Sequence, residues 1–214
     1  MLGRRVADDQ KMDKLVNLAT SGCSDIVSLS SNLLDIARMD DGKLVLKRSV
    51  LEMGRILQLM DKFMQNALFE EKNISVAVTP PDGDFDVYAD AYLLERIFQN
   101  LFSNAAKYVP NGGNVEITFA NADNERIICF YSSGPPIGEG QRKTMFEKFS
   151  RLDEKGSQYS KGLGLFFCKM VMNEHRGNIW VDADESGNHF KLSFPDRAVV
   201  QARPARVARA ADAV

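Results

Sequence analysis

The segment LLERIFQNLFSNAAKYVPNGG, residues 93–113, carries two patterns on one helix. Leu94, Ile97, Leu101 and Ala105 recur at steps of three and four, an apolar stripe suited to a core. Asn100, Asn104 and Lys107, at i, i+4 and i+7, make a second stripe of different chemistry. Asparagine is a mediocre helix former because its carboxamide competes for backbone hydrogen bonds, so two beside a lysine ask for a reason. A carboxamide oxygen is a hard ligand suited to Mg²⁺, and a lysine ammonium is a compact charge suited to phosphate. Together they can hold a metal–triphosphate. A solvated polar face explains the helix equally well when it is taken alone, so its neighbours must decide.

Upstream, Val87-Tyr88 reads as a brief strand ending at Asp90, a good N-cap for a helix over 91–108. Before it, Val50 to Phe69 shows helical spacing, Ile74, Val76 and Val78 alternate as in a strand, and Pro80-Pro81-Asp82-Gly83 is a turn. Downstream, strands are expected at 114–119 and 126–131 around a turn at Asn121–Asn124. A loop follows, FYSSGPPIGEG (130–140), then a short helix near 139–147 and a polar, glycine-punctuated stretch over 150–161. A helix from about 162 to 175 and strands at 178–183 and 189–194, around Glu185-Ser186-Gly187-Asn188, complete the pattern. Strands interleaved with separated helices predict an α+β fold, with a mixed sheet covered by helices on one face.

The N-terminal part differs in character. Met12, Leu15, Ala19, Gly22, Ile26, Leu29, Leu33 and Ile36 form an a/d seam over about four heptads. The same spacing fits a core-facing helix, but its length favours pairing across a homodimer. Asp40-Asp41-Gly42 stops it, with Gly42 suited to a left-handed cap. The expected organisation is a dimerisation helix and linker over 1–46, a globular domain over 47–195, and a flexible tail over 196–214.

Bulk properties exclude several classes. The 214 residues are 44% hydrophobic and carry a net charge of -2, without the basic face expected of a nucleic-acid binder. No apolar run approaches the ~20 residues of a membrane span, and no signal pattern opens the chain, so no membrane contact is expected of this chain itself. Cys23, Cys129 and Cys168 are widely spaced and suggest neither a disulfide framework nor a metal site, which makes a reducing cytoplasm the default location.

Read together, four segments resemble the ATP-binding domain of sensor histidine kinases. Residues 93–108 resemble that family's N-box, FYSSGPPIG its first glycine box, MFEKFSRLD (145–153) its F-box, and SKGLGLFFCKMVMNEHRGNIWV (160–181) its second glycine box with the following helix and strand. LLDIARMDDGKLVL (33–46) is similar to the end of the second helix of the dimerisation and phosphotransfer domain. The resemblance implies ATP and Mg²⁺ as cofactors and a response-regulator receiver domain as partner. It makes Asn104 the Mg²⁺ ligand, with Asn100 and Lys107 near the phosphates and Tyr108 lining the pocket. Ser132, Gly134 and Ile137 fall at the adenine end, and Phe149 and Arg151 at the F-box edge. Gly162, Leu163, Gly164 and Leu165 form the hinge of a lid over 150–161 and the helix N-terminus beneath the phosphates.

The pattern is broken in three places. Ser132 stands where the family has an aspartate that accepts from the adenine amine, and Pro136 replaces a glycine. Exchanging a charged acceptor for a neutral one costs about 1–2 kcal/mol, on the order of tenfold in affinity. Ser160 replaces the first glycine of the second glycine box. Residues 1–11 contain no histidine to accept phosphate, and His175 and His189 sit at structural positions, so this chain by itself is expected not to autophosphorylate. The alternatives are a dimeric pseudokinase that docks partners with weak or no ATP binding, and a gyrase- or chaperone-like ATPase. The F-box and heptad helix speak against the latter.

Overall fold

The computed structural model describes residues 2–150 and 162–202, and the chain divides into two compact units, Met1–Leu44 and Val45–Val214. The first is a single helix, α1 (Leu2–Asp40), so the seam expected from Met12 lies in a helix that begins ten residues earlier. On that seam Met12, Leu15, Ile26 and Leu33 are between 46% and 62% exposed, and Val16, Val27 and Leu34 lie exposed beside them. The helix ends as its sequence requires. Gly42 takes φ +65° and donates to the Met39 carbonyl, while the Lys43 N–H reaches the Arg38 carbonyl.

In the second unit a five-stranded sheet runs in the order β2 (Ser75–Thr79), β4 (Asn114–Ala122), β5 (Glu125–Ser133), β7 (Gly187–Pro195), β6 (Asn178–Ala183). Only the β2–β4 pairing is parallel, so the sheet is mixed. A two-stranded antiparallel ribbon pairs β1 (Arg48–Glu52) with β3 (Asp86–Asp90). Helices α2 (Met53–Met64), α4 (Ala91–Tyr108) and α6 (Gly164–Glu174) complete the main body, with short α3 (Ala67–Glu71), α5 (Glu139–Thr144) and α7 (Arg197–Ala202).

Alternation decides which face of the sheet is covered. Val115, Ile117, Ile128, Phe130, Leu192, Phe194, Ile179 and Val181 are buried, whereas Thr118, Cys129, Tyr131, Lys191 and Trp180, on the opposite face, are half-buried. Phe98 and Phe102 of α4 meet Phe130 with ring centroids 5.7 and 5.3 Å apart, and Phe102 also packs on Phe63 and Phe69. The buried face of α4 is therefore wider than the stripe read from sequence, because Leu93, Phe98, Phe102 and Ala106 join Leu94, Ile97 and Leu101. Each large side chain so buried contributes about 1.5–3 kcal/mol of transfer free energy.

Three expectations are corrected. Val50–Glu52 are strand, because Val50 and Leu51 pair with Tyr88 and Val87 of β3, and the helical run breaks at Asn66, whose side chain caps α3 through the Leu68 N–H. The turn between β4 and β5 tightens to Asp123-Asn124, so both strands are longer and β5 continues through Ser133. The beginning of the segment expected as a tail is ordered as α7. The Asp196 N–H donates to the Asn124 carbonyl, Arg126 pairs with Asp196 at 2.9 Å, and Arg176 donates to the carbonyl of Val200, which is buried.

One buried histidine ties the start of α4 to the end of α6. The Asp90 carboxylate caps α4 by accepting from the Tyr92 and Leu93 N–H groups, and its second oxygen accepts from the Lys47 N–H. The Asp90 backbone N–H donates to His175 Nε2 at 2.9 Å, which leaves the ring proton on Nδ1, 2.8 Å from the Val171 carbonyl. His175 is thus neutral, and burial holds its imidazole below the usual histidine range. A base whose proton affinity falls on folding stabilises the protein above its unfolded pKa of ~6.5, and that stability is lost as pH falls because the unfolded chain protonates first. The melting temperature is expected to fall from neutral pH towards pH ~5, and to fall less steeply in His175→Gln, as read by thermal unfolding across that range.

Candidate nucleotide-binding site

Three segments form the candidate site. The first is the corner that opens α6. Asn100 donates from Nδ2 to the Arg96 carbonyl at 2.8 Å, which orients the carboxamide. Its Oδ1 faces Gly164, where an added Cβ would lie 2.6 Å away, so a side chain at that position would push the carboxamide out of place. No side chain caps the N-terminus of α6 and its first turn holds no acid, in contrast to α4 and α3, which are capped by Asp90 and Asn66. Among the described residues the first-turn N–H groups of α6, at the positive end of its dipole, have no side-chain acceptor, a natural position for an anion.

Gly162 adopts φ +65°, and a Cβ there would collide with the backbone of Phe149 and Ser150. The Phe149 N–H donates to the Gly162 carbonyl at 3.1 Å, joining the two ends of the polar stretch expected as a lid. Residues 151–161 themselves, with Arg151 and Ser160, lie outside the described residues. Phe149 is 61% exposed in the left-handed region at φ +65°, and Leu163 is buried as an anchor for the corner, with Leu165 half-buried behind it.

The second segment is the loop after β5. Ser132 lies on the helix-covered face, paired with Val115 and Asn188. Ser133 Oγ accepts from the Asn114 N–H at 2.8 Å. Gly134, at φ +139°, packs against Pro110 and towards the Tyr108 carbonyl, which sets the loop against the end of α4. The loop is held by a residue read from sequence only as part of a turn. Asn188, buried, accepts from the Ile137 N–H at 2.8 Å and donates to the Pro135 carbonyl at 3.0 Å. These two groups flank Pro136, so the N–H that proline lacks is not one the clamp uses.

The third segment is α4 itself, which presents half-buried Asn104 and exposed Lys107 and Tyr108 beyond Asn100. Two cations position this helix, and neither stood out in the sequence. Lys72 donates to the carbonyls of Ala106, Lys107 and Val109, capping the C-terminal end of α4. Arg96, buried, lies 4.7 Å over the Phe167 ring and donates to the Tyr92 hydroxyl, tying α4 to α6. No group of three acidic, histidine or cysteine side chains among the described residues can hold a metal ion. The side chains present on this face of α4 are carboxamides, whose oxygens are hard ligands of the kind that suit Mg²⁺.

Residues 89–198 match the family described as histidine kinase-, DNA gyrase B-, and HSP90-like ATPase. The chain belongs to this family. Among its relatives is the adaptive-response sensory kinase SasA of Rippkaea orientalis, 30% identical over 139 residues, which are 64% of this chain and 35% of that protein. The chain thus spans about a third of that relative's length. The catalytic domain of histidine kinase ThkA superposes with a TM-score of 0.62 at 25% identity, over 70% of this chain and 96% of that one. ThkA solved in complex with the response regulator protein TrrA shares the fold at a TM-score of 0.63 and 21% identity, over 81% of this chain and 48% of that one. The second unit is therefore an ATPase domain of the sensor histidine kinase type.

Gly164→Ala is expected to displace Asn100 from the Arg96 carbonyl, at a cost of about 1 kcal/mol, and to weaken nucleotide binding severalfold with little change in melting temperature, as measured by calorimetry and thermal unfolding. Asn188→Ala is expected to release the loop, seen as faster hydrogen exchange at the Ile137 amide.

Proposed function

We propose that this chain binds Mg-ATP between α4, the loop over 133–138 and the start of α6, as the kinase core of a two-component sensor. The observation that carries this reading is the uncapped N-terminus of α6, brought against Asn100 by the missing side chain at Gly164. In this reading the first-turn amides of α6 hold the phosphates together with Lys107 and Asn100, and Asn104 offers its oxygen to Mg²⁺. Bound Mg²⁺ would neutralise charge on the phosphate oxygens. Tyr108, Ile137 and Phe149 line the pocket, Arg151 belongs to its F-box edge, and Gly162–Leu165 are the hinge of a lid. Ser132 accepts from the adenine amine as a neutral group, which leaves the phosphate end to supply most of the affinity.

The phosphoryl acceptor is a histidine outside this chain, with relay to a response-regulator aspartate. Neither histidine present suits the part. Both ring nitrogens of His175 are hydrogen-bonded in the core, and the His189 ring lies tilted against Tyr131 with Nε2 3.0 Å from Asp184. The ThkA–TrrA complex supports a receiver domain as partner, and the exposed stripe of α1 supports a homodimer. A second reading, a docking module with little nucleotide affinity, is favoured by Ser132 in place of a carboxylate.

Calorimetric titration with ATP separates the two. The kinase-core reading expects Mg²⁺-dependent binding that Asn104→Ala abolishes, and Ser132→Asp is expected to tighten it on the order of tenfold. No heat at about 1 mM ATP would contradict the reading and leave the docking module.

A further inference from the structure

The far edge of the sheet carries a second feature, independent of the nucleotide site. β6 ends the five-stranded sheet and is bonded to β7 on one side only. Between its other edge and helices α5 and α6 lies a groove of about 440 Å³. Asn178, Ile179, Trp180 and Val181 all line it, although their side chains alternate between the two faces of the sheet. What four successive strand residues share is the strand edge, so the groove runs along unpaired backbone N–H and C=O groups.

The opposite wall is basic. Arg142, Lys143 and Lys169 line it against a single carboxylate, Glu139, which Lys143 engages at 2.7 Å. Among the described residues Lys169 has only a neutral partner, Asn178 Oδ1 at 2.6 Å, and Arg142 Nε is buried without a hydrogen-bond partner. Nearby Asp182 is already committed to Lys191 and to the Trp180 indole N–H. Phe146 and Trp180 supply apolar surface between these charges. Exposed lysines guard many sheet edges against aggregation, but a guarding cation stands in solvent. Arg142 is instead half-buried, and in this lining three cations face one carboxylate, an excess that an acidic ligand would balance.

We propose that this groove binds an extended acidic segment of a partner protein. The segment adds to β6 as a sixth strand, and its carboxylates meet Arg142, Lys143 and Lys169. None of the proposed nucleotide contacts lines the groove, so this proposal stands or falls apart from the ATP reading.

The test uses a short fluorescent peptide of alternating glutamate and valine, with a lysine-for-glutamate version as control. The acidic peptide is expected to bind saturably, to weaken as salt rises from about 50 to about 500 mM, and to protect from exchange those amides of Asn178–Val181 that face away from β7. Arg142→Glu combined with Lys169→Glu is expected to weaken it at least about tenfold with an unchanged melting temperature. Should that pair fail to fold, Arg142→Gln with Lys169→Gln reads the same charge dependence. Equal binding of the lysine peptide, unchanged affinity in the charge variants, protection elsewhere in the domain, or no binding at about 1 mM peptide would each overturn the proposal.

Discussion

The position of the Asn100 carboxamide against the start of α6 depends on Gly164 having no side chain, and the geometry of the candidate site depends on that contact. A single β-carbon would meet the Asn100 carboxamide, and that carboxamide cannot turn away without giving up its bond to Arg96. The two helices are also tied beyond this point. His175 joins the last turn of α6 to the cap of α4, Arg96 spans from α4 to Phe167, and Lys72 holds the carbonyls at the far end of α4. With both ends and the middle of α4 constrained, the uncapped N-terminus of α6 is held in position before any ligand arrives. Pre-organisation of this kind lowers the ordering cost of binding.

The two ends of the site differ in chemistry. At the corner of α6 the available groups are backbone amides, a helix dipole, carboxamides and Lys107, all suited to phosphate. At the loop after β5 the charged acceptor usual in such sites is replaced by Ser132. The loop nevertheless keeps a defined shape, because Asn188 clamps it on both sides of Pro136. In the proposed reading the adenine end has lost charge assistance but not its scaffold. In the proposed reading the corner of α6 carries the affinity, and the loop adds shape with little discrimination.

Much of this was legible in the sequence wherever the determining interactions are local. The extent of α4, its Asp90 cap and the stop of α1 at Gly42 follow from residues within a turn of the feature itself. The stripe of Asn100, Asn104 and Lys107 was visible for the same reason. Two errors have one cause, which is partners distant in sequence. Val50–Glu52 read as helix because nothing local reveals pairing with β3. Arg197–Ala202 read as tail because the contacts of α7 come from Arg176 and from the turn after β4. Asn188, Lys72 and Arg96 act on groups that only the fold brings near them. A lone asparagine beside a turn signal points first to the turn, so the clamp it makes needed the structure.

The central claim is that the phosphate end, and not the adenine end, carries nucleotide affinity. It is tested most directly by comparing the affinities of this chain for Mg-ATP and Mg-GTP by calorimetry. The account predicts that GTP binds within about tenfold of ATP, since both present the same triphosphate to α6 and the base meets only a neutral serine. Rejection of GTP by more than about a hundredfold would contradict it, because the adenine end would then be supplying the affinity.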